Sequence, residues 1–334
     1  MVKAAVVGAG AWGTALAIHL ARTESTVALW TWDEQHAAQM RADRENKAFF
    51  AGFSLPSAVT PTADLAEALG DASLVIFVVP SHGLRGTAVR AREYLAEGAL
   101  VVTATKGIED GTLMLMTEVL RDVLGSKHAH RIVAISGPSF AQEVAMGHPT
   151  NVVAACSEEA SCVELQLRLG SERFRVYSSD DPVGVEMGGA LKNVIAIAAG
   201  ACEGLGFGHN SGAALITRGL AEVTRLAVAK GGNPLTLAGL AGMGDLVLTC
   251  TGSLSRNRVV GFELGRGRLL QDILDKLGHV AEGVATARSA VKLAEQVGVE
   301  LPISAEVHAV LYEGKSPQDA VRDVLARPLR RERD

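Results

Sequence analysis

Residues 6–13, "VVGAGAWG", set the first constraint on the fold. Gly8, Gly10 and Gly13 form a G-x-G-x-x-G pattern that follows a β-branched run, Lys3 to Val7, and opens "AWGTALAIHLA", whose apolar residues recur with helical periodicity. Gly8 permits a tight turn, Gly10 lets the backbone approach a pyrophosphate, and Gly13 allows the helix to sit close on the strand. The helix start that follows favours the phosphate charge. In a chain with 36 glycines the pattern alone can arise by chance. The strand before it and the helix after it make it a dinucleotide loop rather than a structural turn.

Six further runs extend the pattern: Thr26 to Trp30, Leu74 to Val79, Leu100 to Ala104, Ile132 to Ser136, Asn151 to Ala155 and Phe174 to Tyr177. Each is apolar and the spacers are mostly of helix length, as in a mostly parallel sheet covered on both faces. The first domain is therefore expected to be a doubly wound, Rossmann-type α/β fold over residues 1–180. Asp33 ends the second run about 20 residues past the glycines, where an acid bonds the ribose hydroxyls of NAD. Arg41, Arg44 and Lys47 follow it and can compensate a 2′-phosphate, so NAD and NADP both stay open.

Beyond Pro182 the texture changes to alanine- and leucine-rich stretches broken by "GG", "NP", "GMGD" and "TGS". Asn233-Pro234 reads as an N-cap with proline at the first helical position, and Gly231-Gly232 as the stop of the preceding helix. An all-helical domain over 181–326 and a charged tail over 327–334 are expected.

Within that domain, "GGALKNVIAIAAG" (188–200) puts Lys192 and Asn193 in an otherwise aliphatic helix. Two readings compete. The lysine snorkels to water, or it sits desolvated, with its pKa lowered toward the range of proton transfer. Asn193, Glu186 and the polar loop "GLGFGHNSG" favour a cleft, where a lysine can donate the proton that accompanies hydride transfer to a carbonyl. Downstream, "TGSLSRNR" presents Ser253, Ser255, Arg256, Asn257 and Arg258 at a helix start, either a plain cap or an anion site. Asp245 in "AGMGDLVLT" is a candidate to orient an amine, with an N-cap as the alternative. Lys106, Gly137 and Ser139 lie in loops after strands, facing the crevice where ligands of open α/β sheets bind.

The formal net charge of −5 offers no basic field for nucleic acid. Every apolar run is expected to stop short of the roughly 20 residues of a spanning helix, so no membrane insertion is expected. The nine histidines, His82 and His209 among them, show no HExxH or other metal spacing, and no metal is expected. Cys156, Cys162, Cys202 and Cys250 are too few for a disulfide framework, which with the lack of a signal-peptide pattern suggests a reducing, cytoplasmic setting.

Taken in order, "GAGAWGTALA", "PSH", "ATKGIE", "ISGPSFAQEVA", "FRVYSSDD", "GGALKNVIAIAAG", "NSGAALITRGLAE", "GMGDLVLTCTGSLSRNR" and "VAEGVATA" resemble the bacterial soluble NAD(P)-dependent glycerol-3-phosphate dehydrogenases nearly end to end. The resemblance implies a helical domain of the 6-phosphogluconate-dehydrogenase-like kind. It also implies reversible reduction of dihydroxyacetone phosphate to sn-glycerol 3-phosphate for phospholipid synthesis, and a homodimer. By position it makes Lys192 the proton donor and acceptor. Lys106, Gly137, Ser139, Asp245, Ser255, Arg256 and Asn257 become substrate residues. Ala11, Trp12, Trp32, Lys106, Ala141, Arg256, Val280 and Glu282 become cofactor contacts. Two departures stand out: Glu203 where relatives commonly carry aspartate, and "TWDE" without the arginine many members place after the second strand. The alternatives from the residues alone are another two-domain dehydrogenase acting on a hydroxy or sugar acid, and a non-catalytic NAD(H)-sensing module.

Overall fold

In the computed structural model, which describes residues 3–277, 280–328 and 331–332, the first strand already shows how the sheet is buried. Along β1 (Lys3–Val7), Ala4 and Val6 face a core with Leu16 and Leu20, while Ala5 and Val7 face another with Phe77 and Leu84. Successive side chains of a strand point to opposite faces, so an unbroken apolar run needs cover on both sides.

The remaining strands are β2 (Thr26–Trp30), β3 (Glu45–Asn46), β4 (Phe50–Ser54), β5 (Val59–Thr62), β6 (Ala72–Phe77), β7 (Leu100–Thr103), β8 (Ile132–Ser136), β9 (Thr150–Ala155) and β10 (Phe174–Ser179). Eight of them form one sheet in the order β10-β9-β8-β7-β6-β1-β2-β5, and β3 pairs with β4 in a separate hairpin. All neighbours in the large sheet run parallel except β8 and β9. The strand order reverses between β1 and β6, which opens a crevice at their carboxyl ends.

After β10 the described residues are helical. Asp181 caps the central helix, Pro182–Gly204, by accepting from the Gly184 N–H at 2.8 Å, with Pro182 in the first turn. That helix is buried on nearly every side by its neighbours His209–Ala229, Asp245–Thr251, Arg256–Gly265 and Glu282–Val297. Glycines set the closest of these contacts. A Cβ at Gly200 would strike the Arg258 carbonyl, and one at Gly261 the Ile197 carbonyl, so the two helices meet backbone to backbone.

Two expectations are corrected, and one pair of cysteines is added. Strands β3, β4 and β5 lie in a stretch where no strand is expected. Two helical stretches, Pro182–Gly204 and Pro234–Thr251, are long and apolar enough to cross a membrane by length and composition, contrary to the reading that every apolar run stops short. The first is 89% buried inside the protein, as a core helix is. Cys156 and Cys162 are paired as a disulfide, because the helix Glu159–Leu169 folds back over the end of β9. Cys202 and Cys250 are free and buried. The expected tail at 327–334 falls partly outside the described residues; within them, Arg327 pairs with Glu300 at 2.7 Å.

Candidate active site

Three chain segments converge on one carboxylate. Asp245, 1% exposed, opens the helix Asp245–Thr251. Its Oδ1 accepts from Lys192 Nζ and its Oδ2 from Lys106 Nζ, each at 2.6 Å. Lys192 donates also to Thr249 Oγ1 at 2.9 Å. Thr249 lies one turn beyond Asp245 on the same helix face.

Lys192 does not snorkel: it is 8% exposed. Burial lowers its pKa to about 8, against the opposing pull of Asp245 and with help from the charge of Lys106. Burial alone would raise Asp245, but the two ammonium groups outweigh it and hold the carboxyl below its usual value. The cluster thus carries two cations against one anion in a dry setting.

Behind Lys106 lies a small cavity lined by Thr103, Ser136, Glu186 and Gly189, among others. Ser136 Oγ is buried there without a partner among the described residues. Glu186 accepts from Thr117 N at 2.9 Å and Thr117 Oγ1 at 2.5 Å, tying the central helix to the first domain. Burial pushes its carboxyl up to about 7. On the next turns of the central helix, Asn193 Oδ1 accepts from Asn257 Nδ2 at 2.9 Å, and Asn257 Oδ1 from Gly283 N at 2.9 Å.

Asn257 belongs to the candidate anion site. Ser255 caps the helix Arg256–Gly265 by accepting from Arg258 N at 3.3 Å, and no acid stands in its first turn. Arg256 makes no hydrogen bond or salt bridge among the described residues; burial of its guanidinium lowers its pKa, against the pull of the nearby Glu282 charge. Arg258, by contrast, is committed to Glu203 at 2.6 Å. Gly137 and Ser139 follow β8, and Ser139 Oγ donates to the Gly137 carbonyl at 3.0 Å.

The glycine turn sits at the crevice between β1 and β6. Gly8 has φ +123°, and a Cβ there would press on the Val78 carbonyl; a Cβ at Gly13 would overlap the Gly8 carbonyl. These two are needed by the fold itself. A Cβ at Gly10 would meet no protein atom within 4 Å. Packing within the protein therefore does not require glycine there. The helix Ala11–Leu20 has no acid in its first turn. Trp12 and Ala141 are partly exposed, Trp32 is 78% and Val280 41% exposed. Asp33 caps the helix Glu34–Asp43, with Oδ1 accepting from Gln35 N and His36 N. Glu282 accepts from Ser81 N at 3.2 Å and Ser81 Oγ at 2.7 Å, joining the two domains beside the crevice. Residue-level reading passed over Thr249, Ser81 and Ser136; of these, Thr249 was findable as the i+4 neighbour of Asp245. No group of three or more His, Cys, Asp or Glu with metal-binding placement occurs among the described residues.

A G-x-G-x-x-G turn at the switch point of a mostly parallel sheet, together with a buried lysine in a helical second half, fits the class of two-domain NAD(P)-dependent oxidoreductases. Sequence models described as the N-terminus and C-terminus of NAD-dependent glycerol-3-phosphate dehydrogenase match residues 3–162 and 181–322. Glycerol-3-phosphate dehydrogenase [NAD(P)+] of Koribacter versatilis is 53% identical over 330 residues, 98% of each chain. That of Myxococcus xanthus is 51% identical over 326 residues, 98% of this chain and 97% of its own. The crystal structure of the Coxiella burnetii glycerol-3-phosphate dehydrogenase is similar with a TM-score of 0.93 at 39% identity, covering 97% of this chain and 99% of that one. The chain belongs to the NAD-dependent glycerol-3-phosphate dehydrogenase family.

Proposed function

We propose that this protein interconverts dihydroxyacetone phosphate and sn-glycerol 3-phosphate, with NAD(P)H as the reductant. The observation that carries the reading is Lys192, an ammonium buried in an apolar helix and held 2.6 Å from Asp245. When bound in the crevice, the nicotinamide cofactor supplies or accepts the hydride. Lys192 gives its proton to the carbonyl oxygen as that oxygen gains charge, and takes it back in the reverse direction. Asp245 fixes the ammonium in place, and Lys106 adds positive potential on the same side. Arg256, Asn257 and the free N–H groups of the Arg256–Gly265 helix hold the phosphate, with Gly137, Ser139 and Ser255 completing the substrate wall.

The dinucleotide-binding role falls to residues 1–180 and the substrate role to 181–326, the tail 327–334 taking no part. The end of β10 at Ser179 and the start of the central helix at Pro182 support that division. We infer further, from the family likeness, a cytoplasmic homodimer that feeds glycerophospholipid synthesis. A sensing module would have no use for three charged side chains buried together.

Initial rates of NADH and NADPH oxidation with dihydroxyacetone phosphate, set against a 2-oxo acid and a sugar acid, test the assignment. Turnover confined to dihydroxyacetone phosphate is the expected result. Cofactor binding without turnover of any of these overturns it.

A further inference from the structure

A second buried polar network, remote from the lysines in sequence, reaches the back of the glycine turn. Asn46, at the end of β3, is 0% exposed. Its Nδ2 donates to the Ala9 carbonyl at 2.8 Å and to Thr14 Oγ1 at 2.7 Å. Its Oδ1 accepts from Phe49 N at 3.2 Å and is 2.9 Å from His36 Nε2. Because the Ala9 carbonyl can only accept, the orientation of the amide is settled, and His36 Nε2 must carry a hydrogen. In the neutral ring Nδ1 then accepts from the Thr31 hydroxyl at 3.1 Å.

This network fixes the direction of one peptide. The chain has no cis bond among its described residues, and in a trans peptide the C=O and N–H point opposite ways. With the Ala9 carbonyl drawn inward by Asn46, the Gly10 N–H is turned outward. It has no acceptor among the described residues, and a Cβ added at Gly10 would meet no protein atom within 4 Å.

We propose that Asn46 is a positioning residue for dinucleotide binding: it anchors the Ala9 carbonyl so that the Gly10 N–H, and not a carbonyl oxygen, faces the cofactor's pyrophosphate. The inference deepens the dinucleotide reading of the glycine turn and rests on it. Asn46, fully buried, does not itself touch the cofactor. Its effect passes through the Ala9–Gly10 peptide, while His36, in the helix Glu34–Asp43, and Thr31, just past the end of β2, brace it.

Calorimetric titration of the full chain with NADH and with NADPH, alongside steady-state kinetics, provides the test for wild type, Asn46→Ala and His36→Ala. Removing the amide should weaken the Kd of the preferred cofactor about tenfold, the scale of a lost buried hydrogen bond. Saturated kcat and the KM for dihydroxyacetone phosphate should stay within about twofold of wild type, a split that a general loss of folded protein does not produce. His36→Ala, which removes only the brace, should weaken Kd about threefold. A folded Asn46→Ala protein with wild-type Kd overturns the proposal. Should that variant fail to fold, an unchanged Kd in His36→Ala overturns it instead. A wild-type protein that binds neither dinucleotide overturns the underlying reading, and this one with it.

Discussion

In the proposed function the glycine turn offers a ligand backbone N–H groups, whereas the lysine cluster offers side chains drawn from three distant segments. The turn needs no charge, because the absence of side chains lets a phosphate come close and the helix start favours it. The cluster needs burial, because only a dehydrated ammonium has a pKa low enough to give and regain a proton near neutral pH. Binding by backbone tolerates solvent; proton transfer by lysine depends on excluding it.

If that contrast holds, Lys192→Ala should lower kcat for dihydroxyacetone phosphate reduction about 1,000-fold, with cofactor Kd unmoved in the same titration. Asp245→Asn comes next, at about 100-fold in turnover at pH 8. The pH profile sharpens the point. Reduction consumes the ammonium form, so its rate should fall as pH rises through about 8, while glycerol 3-phosphate oxidation rises through the same midpoint. Without the Asp245 charge that supports the ammonium, the midpoint should move lower.

A third expectation concerns stability. Glu186 has its folded pKa raised to about 7 from an ordinary 4.5, so the folded state binds the extra proton. Stability should therefore fall as pH rises from about 5 to 8, by on the order of 2 kcal/mol in denaturant titrations. Glu186→Gln should flatten that dependence. Smaller again is Gly10→Ala, which touches no protein atom. It should leave the melting temperature unchanged and weaken cofactor binding about tenfold. Gly13→Ala, whose methyl overlaps the Gly8 carbonyl, should instead damage folding. The least effect is expected at Glu203, whose half-exposed pairing with Arg258 is worth at most about 0.5 kcal/mol. Glu203→Gln should leave the denaturation midpoint almost unmoved, and a large shift there would show that the helix joint depends on charge.

The same contrast explains what could be read in advance. β1, β2 and β8 match the expected runs to the residue, since a strand buried on both faces must be apolar throughout. β5 carries Pro61 in "VTPT", a residue that argues against a central strand but is tolerated where β5 lies, at the edge of the sheet. The β3–β4 hairpin has a two-residue strand with no periodicity to detect. Asp33 sits where a ribose acid belongs, yet the bonds it makes are those of a helix cap. Lys192 stood out by its apolar surroundings. Lys106 and Asp245 were legible singly, as a loop lysine facing the crevice and a candidate to orient an amine, but they lie far from Lys192 along the chain, and only the fold shows that the three meet.

The backbone seam between the central helix and Arg256–Gly265 has a consequence for how this protein can change over time. With carbonyls resting where side chains would be, neither rod has slack to slide or roll, so the reach of Lys192 is inherited as a fixed length. Descendants of this chain are free to drift across the outer helix faces, but along that seam even one added methyl group would push the two helices apart.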